Sequence, residues 1–441
     1  MEPLFRRGLF VFVSFLIVVL ILNSLIPAGP EDQSFSRHLR IPFAGTEWSF
    51  NASRHANDFT FTEQQCDAAF PALYHEIDRA LDYWGENGGV RAENIDLSWS
   101  KLGAIRALIY NKQLYVIESK NATNDPQLRR RALATLNQIN RAISTSREPI
   151  PNIEFAFKVT DVADPPTRNG VEHTMWSYAR NTNKSAHDKL WLMPDFNLWS
   201  WEHVVGSFVD FQRAASEYDV PITEKTPKLV WRGALWVNEK IRGALVDVTK
   251  DKSWSDVSAF DWGNKTDQAL KKLTMPEHCK WMFGAHTEGR SWSGRLKYLI
   301  NCRSATIVHD LEWTAHWYHL LESQGVDQNF VPVRRDWSNL EETIEYYLTH
   351  PHQAQRIADN AVLKFRERYL SPAAEVCYWR RLFKVWAEVS FEPQLYETME
   401  RQIGESLNAG LTKQSIWQER KLRGMTYEEY IIREGNYPGD E

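Results

Sequence analysis

The sequence predicts an α/β protein behind an N-terminal membrane anchor. Two observations carry that prediction. Strand-length apolar segments alternate with segments of helical period from about residue 150 to 390, the pattern of doubly wound sheets rather than of a sandwich or a bundle. Ahead of them, residues 9–26 (LFVFVSFLIVVLILNSLI) are broken only by Ser14, Asn23 and Ser24, near the length that crosses a bilayer as a helix. Within the body, residues 278–302 read as a strand, a glycine-containing loop and a helix opening on Ser-Trp-Ser-Gly-Arg, with Leu296, Leu299 and Ile300 on one face.

Arg6 and Arg7 precede the apolar run, which places a short tail, residues 1–8, in the cytosol, residues 9–27 in the membrane and the rest in a lumen. A cleaved signal peptide is the competing reading, but Ile26-Pro27-Ala28 is a poor cleavage site. Sequons at Asn51, Asn121, Asn183 and Asn264 fit a lumenal body. So do the cysteines Cys66, Cys279, Cys302 and Cys377, all beyond the anchor and even in number, with three pairings open. No Cys-X-X-Cys occurs, and the C-terminus NYPGDE carries no retrieval signal, which points to Golgi or other secretory-pathway retention by a single-pass type II anchor. The net charge of -5 and the lack of a long basic run argue against nucleic acid as a partner. The 19 tryptophans are assigned mostly to core.

Residues 28–60 read as a stem. Helical periodicity follows in TEQQCDAAFPALYHEIDRALDYW and DPQLRRRALATLNQINRAI, with a strand pair between them turning at Asn111-Lys112. In IPNIEFAFKVT, Ile153, Phe155, Phe157 and Val159 share one face of a strand, and the segment ends at Asp161. A carboxylate just past a buried strand stands where open α/β sheets bind ligands. Asp164, three residues on, is the rival. Further strands are PKLVW ending at Arg232-Gly233-Ala234, SATIVHD ending at His309-Asp310, and NFVPV; the helix after the last has Ser338 as N-cap and Glu341 completing a capping box. Helices are expected over 352–369 and 372–389, and a charged helical extension over 391–441. The turn opening the 290s helix carries Arg290, Ser291, Ser293 and Arg295; a helix N-terminus with two arginines suits a phosphate.

The stretches IEFAFKVTD (153–161), PDFNLWSWE (194–202), VWRGA with Arg242 downstream, EGRSWSGRLKYL (288–299), HDLEWTAHWYHLL (309–321) and FVPVRRDWSNLEET (330–343) together resemble glycosyltransferase family 90, the protein O-glucosyltransferases and fungal capsule-associated xylosyltransferases. The resemblance implies two Rossmann-like domains facing a cleft (GT-B type), here an acceptor-side domain over 61–225 and a UDP-sugar-binding domain over 226–390. It implies an inverting transfer of xylose or glucose from UDP-xylose or UDP-glucose to a hydroxyl of a glycan or glycoprotein, with no metal or cofactor. No Asp-X-Asp occurs in the chain, so protein groups must neutralise the leaving diphosphate. Asp161 stands at the family's general base, with Glu154 seven residues before it, as in the family pattern. Arg232, Gly233, Arg242, Arg290, Ser291, Ser293 and Arg295 fall in the donor-binding motifs. Ala234 replaces a donor-contacting serine. Phe196, Trp199 and Trp201 fall in the sugar and acceptor cleft, and Glu312 is a candidate for the ribose hydroxyls. The implied disulfides are Cys279–Cys302 and Cys66–Cys377. Two other functions compete: an inactive lumenal glycan-binding protein on the same fold, and a glycoside hydrolase, which needs a second carboxylate beside Asp161.

Overall fold

The computed structural model describes residues 48–435 apart from 203, 262 and 407–411. The expected anchor, the expected cytosolic tail and the part of the expected stem up to residue 47 lie outside them. Among the described residues no helix is long and apolar enough to cross a membrane.

Two sheets organise the fold from Trp48 onward, within one compact unit. The second in sequence has five strands, all parallel, in the order Ser255–Ala259, Thr226–Gly233, Trp281–His286, Ala305–His309, Val331–Val333. Its central strands Trp281–His286 and Ala305–His309 are buried almost throughout, as helix-covered parallel strands are. The order of connection reverses between Thr226–Gly233 and Trp281–His286, so a crevice opens beyond the carboxyl ends of those two strands.

The first sheet departs from the doubly wound expectation. Its order is Met425–Thr426, Gln113–Lys120, Ala104–Tyr110, Ile153–Lys158, Trp176–Ser177, Trp191–Leu192. The first three pairings are antiparallel and the last two parallel. The hairpin is the strand pair read around Asn111-Lys112, both of which adopt positive φ in its turn. Ile153–Lys158 lies at the junction and is buried on both faces up to Phe157. It ends just short of Asp161.

Two apolar cores result, one under each sheet. The helix Pro372–Val389, grouped by sequence with the second domain, packs in the first core. Its Trp386 sets its ring edge-on to Trp176 and Trp191 and donates Nε1–H to the Glu154 carbonyl (3.0 Å). Eight tryptophans, Trp84, Trp176, Trp191, Trp231, Trp317, Trp337, Trp379 and Trp386, are fully buried. Both implied disulfides are formed: Cys66–Cys377 ties an early helix to Pro372–Val389, and Cys279–Cys302 closes the segment around the 281–286 strand. All four sequon asparagines are exposed.

Three local readings need correction. The helix expected to start at Ser338 is Leu340–Thr349, its N-cap is Asn339, and no side chain caps it. Asn339 Oδ1 instead accepts from Arg334 N, while Glu341 pairs with Lys252, so the capping box is not made. The helix of the 290s begins only at Arg295 and ends at Asn301; Arg290, Ser291 and Ser293 belong to the loop before it. The C-terminal extension is not wholly helical. It forms a hairpin, Tyr396–Ser406 with Thr412–Leu422, then the edge strand Met425–Thr426, and only then a helix, Tyr427–Gly435.

That extension completes the first sheet. Arg423 forks onto the buried Glu154 with two contacts of 2.8 Å, and Arg106 reaches Glu154 Oε1 at 2.6 Å. Gly424 has φ +79 and lies so close to the 113–120 strand that a Cβ would sit 2.2 Å from the Val116 carbonyl oxygen, which admits only glycine. The strand that follows covers an open sheet edge. We expect Arg423→Ala to leave Glu154 half-countered and to cost roughly 2–3 kcal/mol, short of the full loss because Arg106 stays. Calorimetry checks this; an unchanged Tm contradicts it.

Candidate active site

A cavity of about 620 Å³ lies between the carboxyl end of the 153–158 strand and the switch point of the parallel sheet. Asp161, Phe196 and Trp201 line it from the first half, and Arg232, Gly233, Arg242, Arg290, Ser293 and Arg295 from the second. Residues that the sequence separates by more than a hundred positions therefore share one space. The two walls are also stitched together. Ser291 Oγ donates to the Asp161 carbonyl (2.6 Å), and the buried ion pair Lys297–Asp195 (2.7 Å) joins the Arg295–Asn301 helix to the segment that carries Phe196.

On the first wall, Asp161 is about two-fifths exposed, and its Oδ1 accepts from Arg131 Nη1 at 2.7 Å. Among the described residues its Oδ2 accepts no hydrogen bond. Arg131 comes from the helix Pro126–Ser144, which starts at the N-cap Asp125. Its second contact is the Val159 carbonyl (3.2 Å), and its guanidinium lies 4.8 Å from the centre of the Phe196 ring. The carboxylate is thus held in orientation by a buried cation while one oxygen stays available. Asp164 is occupied elsewhere: His187 Nε2 lies 2.7 Å from its Oδ1, and it does not line the cavity.

Just behind the second wall, Trp231 is a platform for two of its arginines. The indole is fully buried and donates Nε1–H to Thr287 Oγ1 (3.1 Å). The Arg242 and Arg295 guanidinium carbons lie 5.9 and 5.7 Å from its centre. Gly233 is required beside it, since a Cβ there would come within 2.8 Å of the ring. Arg242 donates from Nη1 to the Ala234 carbonyl (2.8 Å) and from Nε to the Glu288 carbonyl (3.2 Å). Arg295 Nη1 is buried with no hydrogen-bond partner. Among the described residues neither guanidinium is paired with a carboxylate. Burial lowers the Arg242 pKa to about 10; burial and then the Arg242 charge lower Arg295 to about 9. Both stay cationic at neutral pH. Two uncountered cations beside one aromatic ring form a site for an anion with more than one charge, and a diphosphate fits that chemistry.

Other expected residues take different places. Arg232 lines the cavity, but its guanidinium is engaged by Asp256 (2.7 Å) and the Lys271 carbonyl (2.8 Å), so it braces neighbouring strands instead of waiting for a phosphate. Ser291 is buried, and its hydroxyl is spent on the Asp161 backbone. Glu312 is outside the cavity and pairs with Arg335 (3.1 Å), whose guanidinium also holds Glu288 (2.8 Å). Trp199 is outside it too, with the Arg141 guanidinium 4.6 Å over its ring. Arg290 is exposed at the rim, 5.2 Å over the ring of Trp236, itself 62% exposed.

The sequence reading missed Arg131, Trp231, Asn197 and His278. Trp231 stood inside the VWRGA motif, yet only its charged neighbour was singled out. Asn197 lies in PDFNLWSWE; it is buried on the cavity wall with Oδ1 unpartnered. Arg131 carried no signal, since one arginine in an Arg-Arg-Arg run on an amphipathic helix looks solvated.

Behind the second wall, His309 Nε2 accepts from Glu288 N (3.0 Å) while Nδ1–H donates to the Asp310 carbonyl (2.8 Å). Protonating Nε2 breaks the bond that holds Glu288 beneath Arg242. Burial lowers the pKa of His309 and of His278 to about 4, and of His286 and His316 well below the ordinary imidazole value. As pH falls from 6.5 toward 4 the unfolded chain binds protons there that the folded one refuses, so stability present above 6.5 is lost. Glu375, raised by burial to about 7, works the other way, as do Glu288 and Asp67, against these four histidines and His173 and His319, which burial also lowers. Tm should drop by on the order of 10 °C between pH 7.5 and 5; a flat profile contradicts this.

The chain is 30% identical over 175 residues to an O-glucosyltransferase rumi homolog of Anopheles gambiae, covering 37% of this chain and 42% of that protein. It is 24% identical over 193 residues to human protein O-glucosyltransferase 1 (43% and 44%) and 24% over 255 residues to the mouse protein of that name (53% and 62%). These matches span about half the length of the relatives. The description "Glycosyl transferase family 90" matches residues 63–427, the region that contains both sheets, the cavity and the edge strand from the C-terminal extension. By that match, the chain belongs to glycosyl transferase family 90.

Proposed function

We propose that this protein transfers a sugar, glucose or xylose, from its UDP derivative to a hydroxyl of a glycan or glycoprotein, with inversion and without a metal. One observation carries the reading: Asp161 and the two uncountered guanidiniums of Arg242 and Arg295 line the same cavity. The acceptor oxygen attacks the anomeric carbon from the face opposite the diphosphate, and its proton passes to Asp161. The bond from the anomeric carbon to the diphosphate oxygen breaks as the new one forms. Arg242 and Arg295 take up the negative charge that develops on UDP, the role a metal serves in other transferases. Arg131 keeps the carboxylate turned while Oδ2 receives the proton. The relatives' names, O-glucosyltransferases, support glucose and a protein hydroxyl as the first pair to test. The apolar run 9–27, the exposed sequons and the disulfides support a lumenal body on a type II anchor in the secretory pathway, most simply the Golgi.

The test is UDP release from UDP-glucose and UDP-xylose by the purified full-length chain in detergent, together with the UDP-induced rise in Tm. Turnover of either donor supports a transferase. A UDP-induced rise without turnover of either supports a glycan-binding protein that has kept the nucleotide site. Neither turnover nor a shift ends the reading.

A further inference from the structure

His278 also lines the cavity and is 3% exposed. Its Nδ1 lies 2.9 Å from the Thr274 carbonyl oxygen, which can only accept, so Nδ1 carries the proton and Nε2 of the neutral ring is a bare acceptor. That Nε2 is buried with no partner. The same cavity wall holds the complementary orphan, Arg295 Nη1, a buried donor with no acceptor. The turn Pro276–Lys280, which bears His278, packs against the helix Arg295–Asn301. Cys279, beside His278, is bonded to Cys302 at that helix's end. Glu277 holds the turn from the other side by accepting from Thr274 N and Oγ1, both at 2.9 Å. The Arg295 charge is the foremost of the charges acting on the His278 ring, and Arg232 adds to it.

We propose that His278 is the positioning residue of Arg295: when the nucleotide binds, the two orphans pair, Nε2 accepting one guanidinium N–H and leaving the remaining N–H groups, with the whole positive charge, for the donor diphosphate. This rests on the reading of the cavity as a sugar-nucleotide site. A carboxylate at this position would orient the guanidinium equally well but would neutralise it. A neutral imidazole orients without neutralising. The fold fixes the acceptor, through the disulfide and the Thr274 bond, before a nucleotide arrives.

Three variants of the full chain test it, His278→Leu, His278→Gln and His278→Glu, each read by UDP titration calorimetry and by Tm without UDP. His278→Leu removes the acceptor and should weaken UDP about 10- to 100-fold. His278→Gln supplies a neutral acceptor and should recover most of that loss. His278→Glu should weaken UDP at least as much as leucine while its Tm without UDP holds or rises, because the half-buried Arg295 cation gains a counter-charge. Leucine binding UDP like wild type overturns the proposal. So does UDP affinity that simply follows Tm across the three, which is the mark of a structural histidine. If leucine does not fold, the glutamine and glutamate variants decide alone, since equal UDP affinity in both overturns the proposal. Failure of the wild-type protein itself to bind UDP refutes the site reading and removes the basis of this inference with it.

Discussion

Asp161→Asn is expected to lower kcat by on the order of 10²–10⁴ while UDP still binds. The substitution keeps size and removes the proton acceptor, and a positioned base contributes about that much to proton transfer. Nothing on the diphosphate wall changes, because Trp231, Arg242 and Arg295 touch neither Asp161 oxygen. The bond between Ser291 and the Asp161 backbone survives too, since it uses the carbonyl. Arg131 loses its charged partner and keeps the Val159 carbonyl. Steady-state kinetics with UDP-glucose or UDP-xylose, paired with UDP calorimetry, separates the outcomes. A drop in kcat with UDP affinity unchanged is the expected split. Retained turnover removes Asp161 from the mechanism and leaves the base to be sought elsewhere on the cavity wall.

Arg295→Met should act in the opposite sense. UDP affinity should fall by on the order of 10²–10³, the worth of two charge-assisted hydrogen bonds. Stability without ligand should not fall, and should rise by up to about 2 kcal/mol. The reason is that Arg295 is a half-buried cation whose Nη1 is buried and unpartnered, pushed down in pKa by desolvation and by Arg242. A group kept against its own desolvation is a functional group rather than a stabilising one. Methionine retains much of the apolar stem over Trp231. UDP binding at wild-type strength in this variant contradicts the diphosphate assignment. A large loss of Tm without ligand means that Arg295 supports the fold through contacts other than those seen here.

These expectations rest partly on what the sequence already declares. Four strands of the parallel sheet were legible because each holds a short apolar run with a turn after it; the fifth, Ser255–Ala259, is polar and only half-buried at the sheet edge, and carries no such run. Asp161, Arg242 and Arg295 were legible through motifs. Arg232 lines the cavity, but its motif states residue type and not where the guanidinium points; Asp256, on the neighbouring strand, captures it. Glu312 was misread for the same reason, with Arg335 as captor. The antiparallel half of the first sheet was half legible. The hairpin at 104–120 declares itself, but its partners, Ile153–Lys158 and Met425–Thr426, are chosen by packing across long stretches of chain. The C-terminal extension reads as helix because its local composition favours one, whereas the edge strand Met425–Thr426 is set in register by Gly424 and by Arg423 reaching Glu154, contacts no local pattern records. His278 and Asn197 were silent for a simpler cause. Each matters through one unpartnered atom, and a missing partner is a property of three-dimensional surroundings.

The most direct measurement is a crystal structure of the protein soaked with an unreactive UDP-sugar. The account predicts pyrophosphate oxygens within hydrogen-bond reach of the Arg242 and Arg295 guanidiniums above Trp231, with the anomeric carbon turned toward Asp161. Density for the pyrophosphate outside this cavity, or an anomeric carbon facing away from Asp161, contradicts it.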